Sequence, residues 1–340
     1  MPADEKLFAE LTQLYGPSGY EKDVCRFIKD YIGDEADDVK VDALGNLIVF
    51  REGTGAKKKR FMSSAHMDEI GLQVTAINED GTISIKSLGY PFYYTTYQRR
   101  VMFKSGLVGI VEAKCEMGEA NHEFTKFYVD LGLTSKEETA KLVDVGDTAI
   151  YLGEYQPLAG RYVTAKAIDD RVGCYIQLKG MEEAGRHPYS DMYYVFSVQE
   201  EVGTRGSQVT ATRIKPDMGV AVDVTPAHQR PAEMPGSNEC GGGVAIKISD
   251  TSVICDEDLI AKQIELCKEN DIKYQKDVIF VGGTDASSIN LCNAGARACA
   301  ISVVTHYTHG PNAIVNLDDV EGAAKLLGLM ANAEYDFEVI

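Results

Sequence analysis

Five short stretches of the 340-residue sequence carry carboxylates or imidazoles where an apolar run is about to end. FMSSAHMDEIG ends its run on His66, with Asp68 two residues on, and AKAIDDRVG delivers Asp169 and Asp170 ahead of a helical segment. VFSVQEEVG supplies Glu200 and Glu201, GVAVDVT supplies Asp223, and ISVVTHYTHGP supplies His306 and His309. Singly, each has an ordinary structural reading. His-x-Asp is a satisfied hydrogen bond, Asp-Asp before a helix is an N-cap favoured by the macrodipole, Asp223 is a turn residue, and the histidine pair is a polar loop. In an open α/β sheet, however, ligands gather at the carboxyl ends of the strands. Five such features at the same end of successive strands point to one site.

Oxygen and imidazole donors without thiolates suit zinc, cobalt or manganese, and the number of carboxylates suggests two ions sharing one of them. Two ions would together acidify a bridging water and polarise a carbonyl, while a nearby unligated carboxylate takes the water's proton. Asp68 is placed to accept from the second ring nitrogen of His66. Glu200 and Glu201 are neighbours on a strand, so their side chains diverge and do different jobs for as long as the strand stays regular.

The elements that must hold these residues follow from periodicity. Apolar spacing predicts helices over 4–14 and 20–32, then strands at 46–50, 60–66 and 71–77. From 72 to 159 short alternating strands are separated by Gly, Asp and Asn turns, as in a small β unit, with one helix that Ser135 and Glu138 open as a capping box. The α/β rhythm then returns, with strands at DMYYVFSV, MGVAVDV, VAIKI and CAISVV and helices near 170–184, 256–269 and 318–333. That pattern predicts an α/β fold, a mixed, mostly parallel sheet with helices on both faces. It divides the chain into a domain of residues 1–71 and 160–340 and an inserted β domain over 72–159.

Composition removes several classes of function. A net charge of −18 argues against nucleic acid or an anionic membrane surface as a partner. The one basic run, Lys57-Lys58-Lys59-Arg60, reads as a solvated hairpin turn. Eight cysteines are scattered without a C-x-x-C pair, and the N-terminal stretch is acidic and amphipathic rather than signal-like. No run reaches the roughly 18 apolar residues that span a bilayer. These features predict a cytoplasmic protein with reduced, buried thiols.

Taken in order, AHMDEIG, AIDDRVG, SVQEEVGTRG, AVDVT, GGTDA and HYTHGP resemble the blocks of the family-42 metallo-aminopeptidases, which include glutamyl aminopeptidase and the tetrahedral (TET) aminopeptidases. The resemblance runs over essentially the whole chain. It implies a zinc-dependent exopeptidase-like domain whose inserted β domain mediates assembly into a homo-oligomer, often a dodecamer, and controls access to the site. It implies His66 as a metal ligand oriented by Asp68, Asp169 as the carboxylate bridging two ions, and Asp170 as structural. Glu200 resembles the general base, Glu201 and His309 ligands of one ion, and Asp223 a ligand of the other. Gly282, Gly283, Thr284 and Asp285 of VGGTDASSIN would wall the substrate cleft; the segment lacks the Gly-Lys-Ser/Thr ending of a nucleotide loop. His306 stands where family members carry arginine and is expected near the substrate.

The expected activity is therefore a two-metal aminopeptidase, zinc-loaded or served by cobalt or manganese, removing N-terminal residues from short peptides. A di-metal carboxypeptidase or deacylase is the first alternative. A cellulase-like glycoside hydrolase is a weaker one, because sugar sites use opposed carboxylates and aromatic platforms and this chain has no tryptophan. A non-catalytic scaffold would not keep a full ligand set and a base. GSNECGGGVAI (236–246) reads as a mobile loop, and the Tyr-rich run from Tyr90 to Tyr97 as a pocket or interface segment.

Overall fold

Apolar residues three and four apart draw the first two helices onto the core. The computed structural model describes residues 3–114, 126–228 and 236–337. Helix α1 (Ala3–Gln13) buries Leu7, Phe8 and Leu11, and α2 (Lys22–Ile32) buries Val24, Ile28 and Ile32. Strands β1 (Asp38–Val41), β2 (Leu47–Arg51) and β3 (Arg60–His66) follow. The chain then leaves the sheet and builds a closed barrel from β4 (Gly71–Ile77), β5 (Ile83–Leu88), β6 (Arg100–Phe103), β7 (Val108–Ala113), β8 (Phe127–Asp130) and β9 (Thr148–Tyr151). Two single-turn helices interrupt it, α3 (Tyr93–Thr96) and α4 (Lys136–Thr139); Ser135 caps the second by accepting from the Glu138 amide. Inward residues such as Leu72, Ile83, Val101, Val111, Val129 and Ala149 alternate with outward ones and form the barrel's own core.

The return leg contains β10 (Gln156–Pro157), β11 (Tyr162–Ala165), α5 (Ile168–Ala184), β12 (Asp191–Ser197), α6 (Arg205–Ile214) and β13 (Met218–Pro226). It closes with β14 (Val244–Ser249), α7 (Glu257–Glu269), β15 (Tyr274–Val278), α8 (Ala286–Asn290), β16 (Arg297–Thr305), β17 (Ala313–Asn316) and α9 (Leu317–Asn332). The main sheet has eight strands in the order β1-β2-β12-β3-β13-β16-β14-β15. Its four central strands, β12, β3, β13 and β16, are mutually parallel, and the pairings of β2 with β12 and of β14 with β16 are antiparallel. All four central carboxyl ends therefore open on one side, which is where the chemistry-bearing motifs lie. Among the described residues, no helix is long and apolar enough to cross a membrane.

Two expectations change. Lys57–Arg60 is not a hairpin turn, because β12 lies between β2 and β3 and the segment is a crossover. Its cations are paired, Lys57 with Glu334, Lys58 with Asp191 and Arg60 with Asp217. Residues 236–246 are anchored, since the Asp319 carboxylate accepts from the amides of Gly241 and Gly243 at 2.7 and 2.8 Å. Seven cysteines are free and buried, and Cys115 lies outside the described residues.

Candidate metal centre

His66 ends β3 with its ring enclosed. Its main-chain N–H donates to Asp170 Oδ2 at 3.1 Å, and its Nδ1 lies 3.0 Å from the main-chain oxygen of Asp68. A carbonyl oxygen only accepts, so in the neutral ring Nδ1 carries the proton and Nε2 would offer its lone pair to a cation. That Nε2 stands 3.1 Å from Asp169 Oδ1 and 3.9 Å from both Asp223 Oδ1 and Glu200 Oε2. His309 repeats the arrangement on the far side of Asp169. Its Nδ1 is held by the Tyr90 carbonyl at 2.9 Å, and its Nε2 faces Asp169 Oδ2 at 3.2 Å and Glu201 Oε2 at 3.5 Å. The two oxygens of one carboxylate thus face two separate imidazoles.

Asp169 does not cap α5, whereas Asp170 accepts from the Gly173 amide at 2.9 Å and so N-caps the regular part of that helix. The residue preceding that helix is Ala167, in the left-handed region with no side-chain cap, and both aspartates have non-helical backbones joined by a cis peptide. Asp170 is fully buried and accepts from the amides of His66 and Gly173, so it ties the end of β3 to the start of α5.

Glu200 and Glu201 are separated by something other than strand alternation. Strand β12 stops at Ser197, and Gln199 adopts a left-handed φ of 57°. The exit is pinned by carboxylates: Asp68 accepts from the amides of Glu200 at 2.9 Å and Glu201 at 3.2 Å, and Glu21 accepts from Gln199 at 3.1 Å. Ser18 donates to Asp68 at 2.6 Å. Ser18 and Glu21 come from the turn between α1 and α2, and nothing in GPSGYEKD distinguishes them from ordinary turn and cap residues. The motif reading also missed Glu69, which with Lys166 at 3.0 Å and Arg171 at 3.3 Å forms a buried charge cluster beneath the site.

The electrostatics of this cluster fit cations. Burial pushes Glu200 and Asp223 well above the usual carboxylate range, and it raises Glu201 to about 7 with help from the neighbouring Asp169. Burial alone would lower the histidines, but Glu201 and Asp169 raise His309 to about 10, and Asp169 and Asp68 raise His66. Burial would also raise Asp169; the hydrogen bonds of the two imidazoles reverse that and hold it low. Glu201 Oε1 is buried with no hydrogen-bond partner, the kind of orphan a cation satisfies. Ligand atoms of His66, Asp169 and Asp223 lie within 4.8 Å of one another, as do those of Asp169, Glu201 and His309. Oxygen and imidazole donors in this arrangement suit zinc or a similar divalent ion.

The family model for M42 glutamyl aminopeptidases matches residues 45–326. The chain belongs to that family. It is an aminopeptidase, a peptide hydrolase. The "Putative aminopeptidase" of Acetivibrio thermocellus is 40% identical over 94% of this chain and 96% of its own. Aminopeptidase APDkam598 from Desulfurococcus kamchatkensis superposes with a TM-score of 0.90 at 32% identity, covering 97% of this chain and 95% of its own. The Pyrococcus horikoshii TET1 peptidase, described as assembling into a tetrahedron or a large octahedral shell, gives 0.86 at 31% identity over 97% and 99%.

In this M42 aminopeptidase the residues expected to wall the cleft divide. Gly282 and Gly283 are exposed, whereas Thr284 and Asp285 are buried. The Asp285 carboxylate accepts from Ser64 and Ser197, each at 2.6 Å, so it ties α8 to β3 and β12 beneath Glu200 rather than facing solvent. His306 is half-buried just past β16, and its main chain pairs with Ile314 at 3.0 Å in both directions.

Proposed function

We propose that His66, Asp169 and Asp223 hold one divalent ion, that Asp169, Glu201 and His309 hold a second, and that Glu200 is the general base. The observation that carries this reading is Asp169, whose two oxygens are 3.1 and 3.2 Å from two imidazoles on opposite sides. When bound, the ions acidify water and polarise the scissile carbonyl. Glu200 is less enclosed than Glu201 and is not needed to complete either triad. Its carboxylate takes a proton from the attacking water and returns it to the leaving amine. Glu201, closed in against His309, stays a ligand. The substrates are short peptides with a free N-terminus.

The metal is zinc, with cobalt or manganese as substitutes, and the work is done in the cytoplasm, in keeping with seven buried free thiols. The inserted unit, residues 72–159, carries the contacts of a homo-oligomer, in keeping with the assemblies of the TET1 relative and with the exposure of Val108, Ile110, Leu142 and Val145 on the barrel. One experiment tests the core of the reading. Protein reconstituted with zinc, cobalt or manganese is analysed for metal by mass spectrometry and assayed on amino-acid anilides, N-acylated amino acids and a soluble glucan. Two ions per chain with anilide hydrolysis alone is the expected result. Cleavage of N-acylated amino acids would point to the deacylase alternative, and metal-independent glucan hydrolysis to the cellulase-like one.

A further inference from the structure

One segment of the barrel reaches the metal centre directly. Gly89, with φ of 79°, runs so close to Glu201 that a Cβ there would fall 3.0 Å from Oε2. The next residue supplies the carbonyl that holds His309, and Thr95 Oγ1 donates to the His309 main-chain oxygen at 3.1 Å. Side chains of this segment remain open to solvent. Tyr90 is 78% exposed and Phe92 45%, and the Phe92 ring lies 6.0 Å from the His309 imidazole and stacks on Tyr94 at 5.3 Å. From Gly89 to Tyr97 no residue is ionisable below neutral pH or cationic. Of the two arginines that follow, Arg100 pairs with Glu154 at 3.3 Å, and Arg99, whose Nε donates to the Thr95 carbonyl at 3.2 Å, lines a cavity with Tyr94, Tyr307 and Pro311 rather than with Tyr90 and Phe92.

Exposed aromatic surface beside a catalytic centre marks a ligand groove, and an apolar wall selects by size and rejects an unpaired charge. We propose that Tyr90 and Phe92, backed by Tyr94, form the subsite for the side chain of the substrate's N-terminal residue, and that this subsite takes apolar or aromatic residues and rejects acidic ones. The inference deepens the two-ion peptidase reading and rests on it.

The test compares kcat/KM on Leu-, Phe-, Ala-, Glu- and Lys-anilides for the zinc-loaded wild type and for Phe92→Ala, Phe92→Leu and Tyr90→Ala. Leu and Phe substrates are expected to exceed Glu by at least about tenfold, and Phe92→Ala to cut the Leu-to-Ala ratio by about tenfold, with partial recovery in Phe92→Leu. The wild-type ranking decides the matter even where a variant folds poorly. A preference for Glu overturns the subsite, and a preference for Lys replaces it with recognition of a cation by the aromatic faces. A loss in Phe92→Ala that is uniform across substrates and accompanied by a change in oligomeric mass assigns the segment to subunit contact and overturns it too. Hydrolysis of no anilide at all fails the peptidase reading itself, a result distinct from a wrong preference.

Discussion

Asp68 and Glu200 are joined through the backbone: one oxygen of the buried aspartate accepts from the Glu200 amide at 2.9 Å, and the other accepts from the Glu201 amide at 3.2 Å. The same carboxylate lies 3.3 Å from His66 Nδ1. One side chain therefore sets the His66 imidazole and the direction of both glutamates. Asp68→Ala should lower metal affinity by roughly 10–100-fold and reduce kcat in the metal-saturated protein as well. Metal competition titrations alongside steady-state kinetics check this. Wild-type kcat at saturating metal would show that Asp68 does not position the base.

Glu200→Gln keeps the size of the side chain and removes the proton acceptor. We expect two ions per chain to remain bound, with kcat lower by at least roughly a hundredfold. Glu201→Gln should behave differently and lose metal. Equal metal loss in the two variants, or unchanged turnover in Glu200→Gln, refutes the division of roles.

Much of this was legible from residue types because strand ends and ligand-rich motifs coincide. Asp223 and His309 sit in or after apolar runs whose β-branched content marks buried strands, and His66 closes the short run FMSSA, so a parallel sheet gathers them without further information. What stayed hidden depends on contacts distant in sequence. The Ser18 and Glu21 turn reaches Asp68 and Gln199 across 50 and 178 residues. The family resemblance alone implies Asp285 as a cleft wall, but the hydroxyls of Ser64 and Ser197 draw it inward. The divergence of Glu200 and Glu201 was anticipated for the wrong local reason. A left-handed Gln199 held by Glu21 produces it, and no periodicity encodes that bend.

The charge cluster under the site makes a prediction about pH. Burial lowers Lys166 from 10.5 to about 8, with Glu69 opposing and Arg171 reinforcing the shift. Between about pH 8 and 10.5 the unfolded chain keeps a proton the folded chain has released, so the contribution of Lys166 to stability rises with pH there and is flat below. The Tm of the wild type minus that of Lys166→Met should therefore grow from pH 8 to pH 10. A difference independent of pH contradicts the assignment. In the same cluster, Glu69→Ala leaves two buried cations without their carboxylate and should cost about 3–5 kcal/mol.

Asp169 is shared, and that gives the metal variants an order. Asp223→Asn removes a donor from the His66 triad alone, and His309→Ala one from the Glu201 triad alone. Each should therefore retain close to one tightly bound ion per chain. Asp169→Asn removes anionic charge between both imidazoles and should weaken both ions together, leaving less than one per chain after dialysis. Chelation of the wild type should abolish anilide hydrolysis, and added zinc, cobalt or manganese should restore it, because every donor is oxygen or imidazole. Metal analysis after dialysis against a fixed free-metal buffer distinguishes these cases. If Asp169→Asn kept one ion as firmly as Asp223→Asn does, the carboxylate would belong to a single site, and the two-ion arrangement would have to be abandoned.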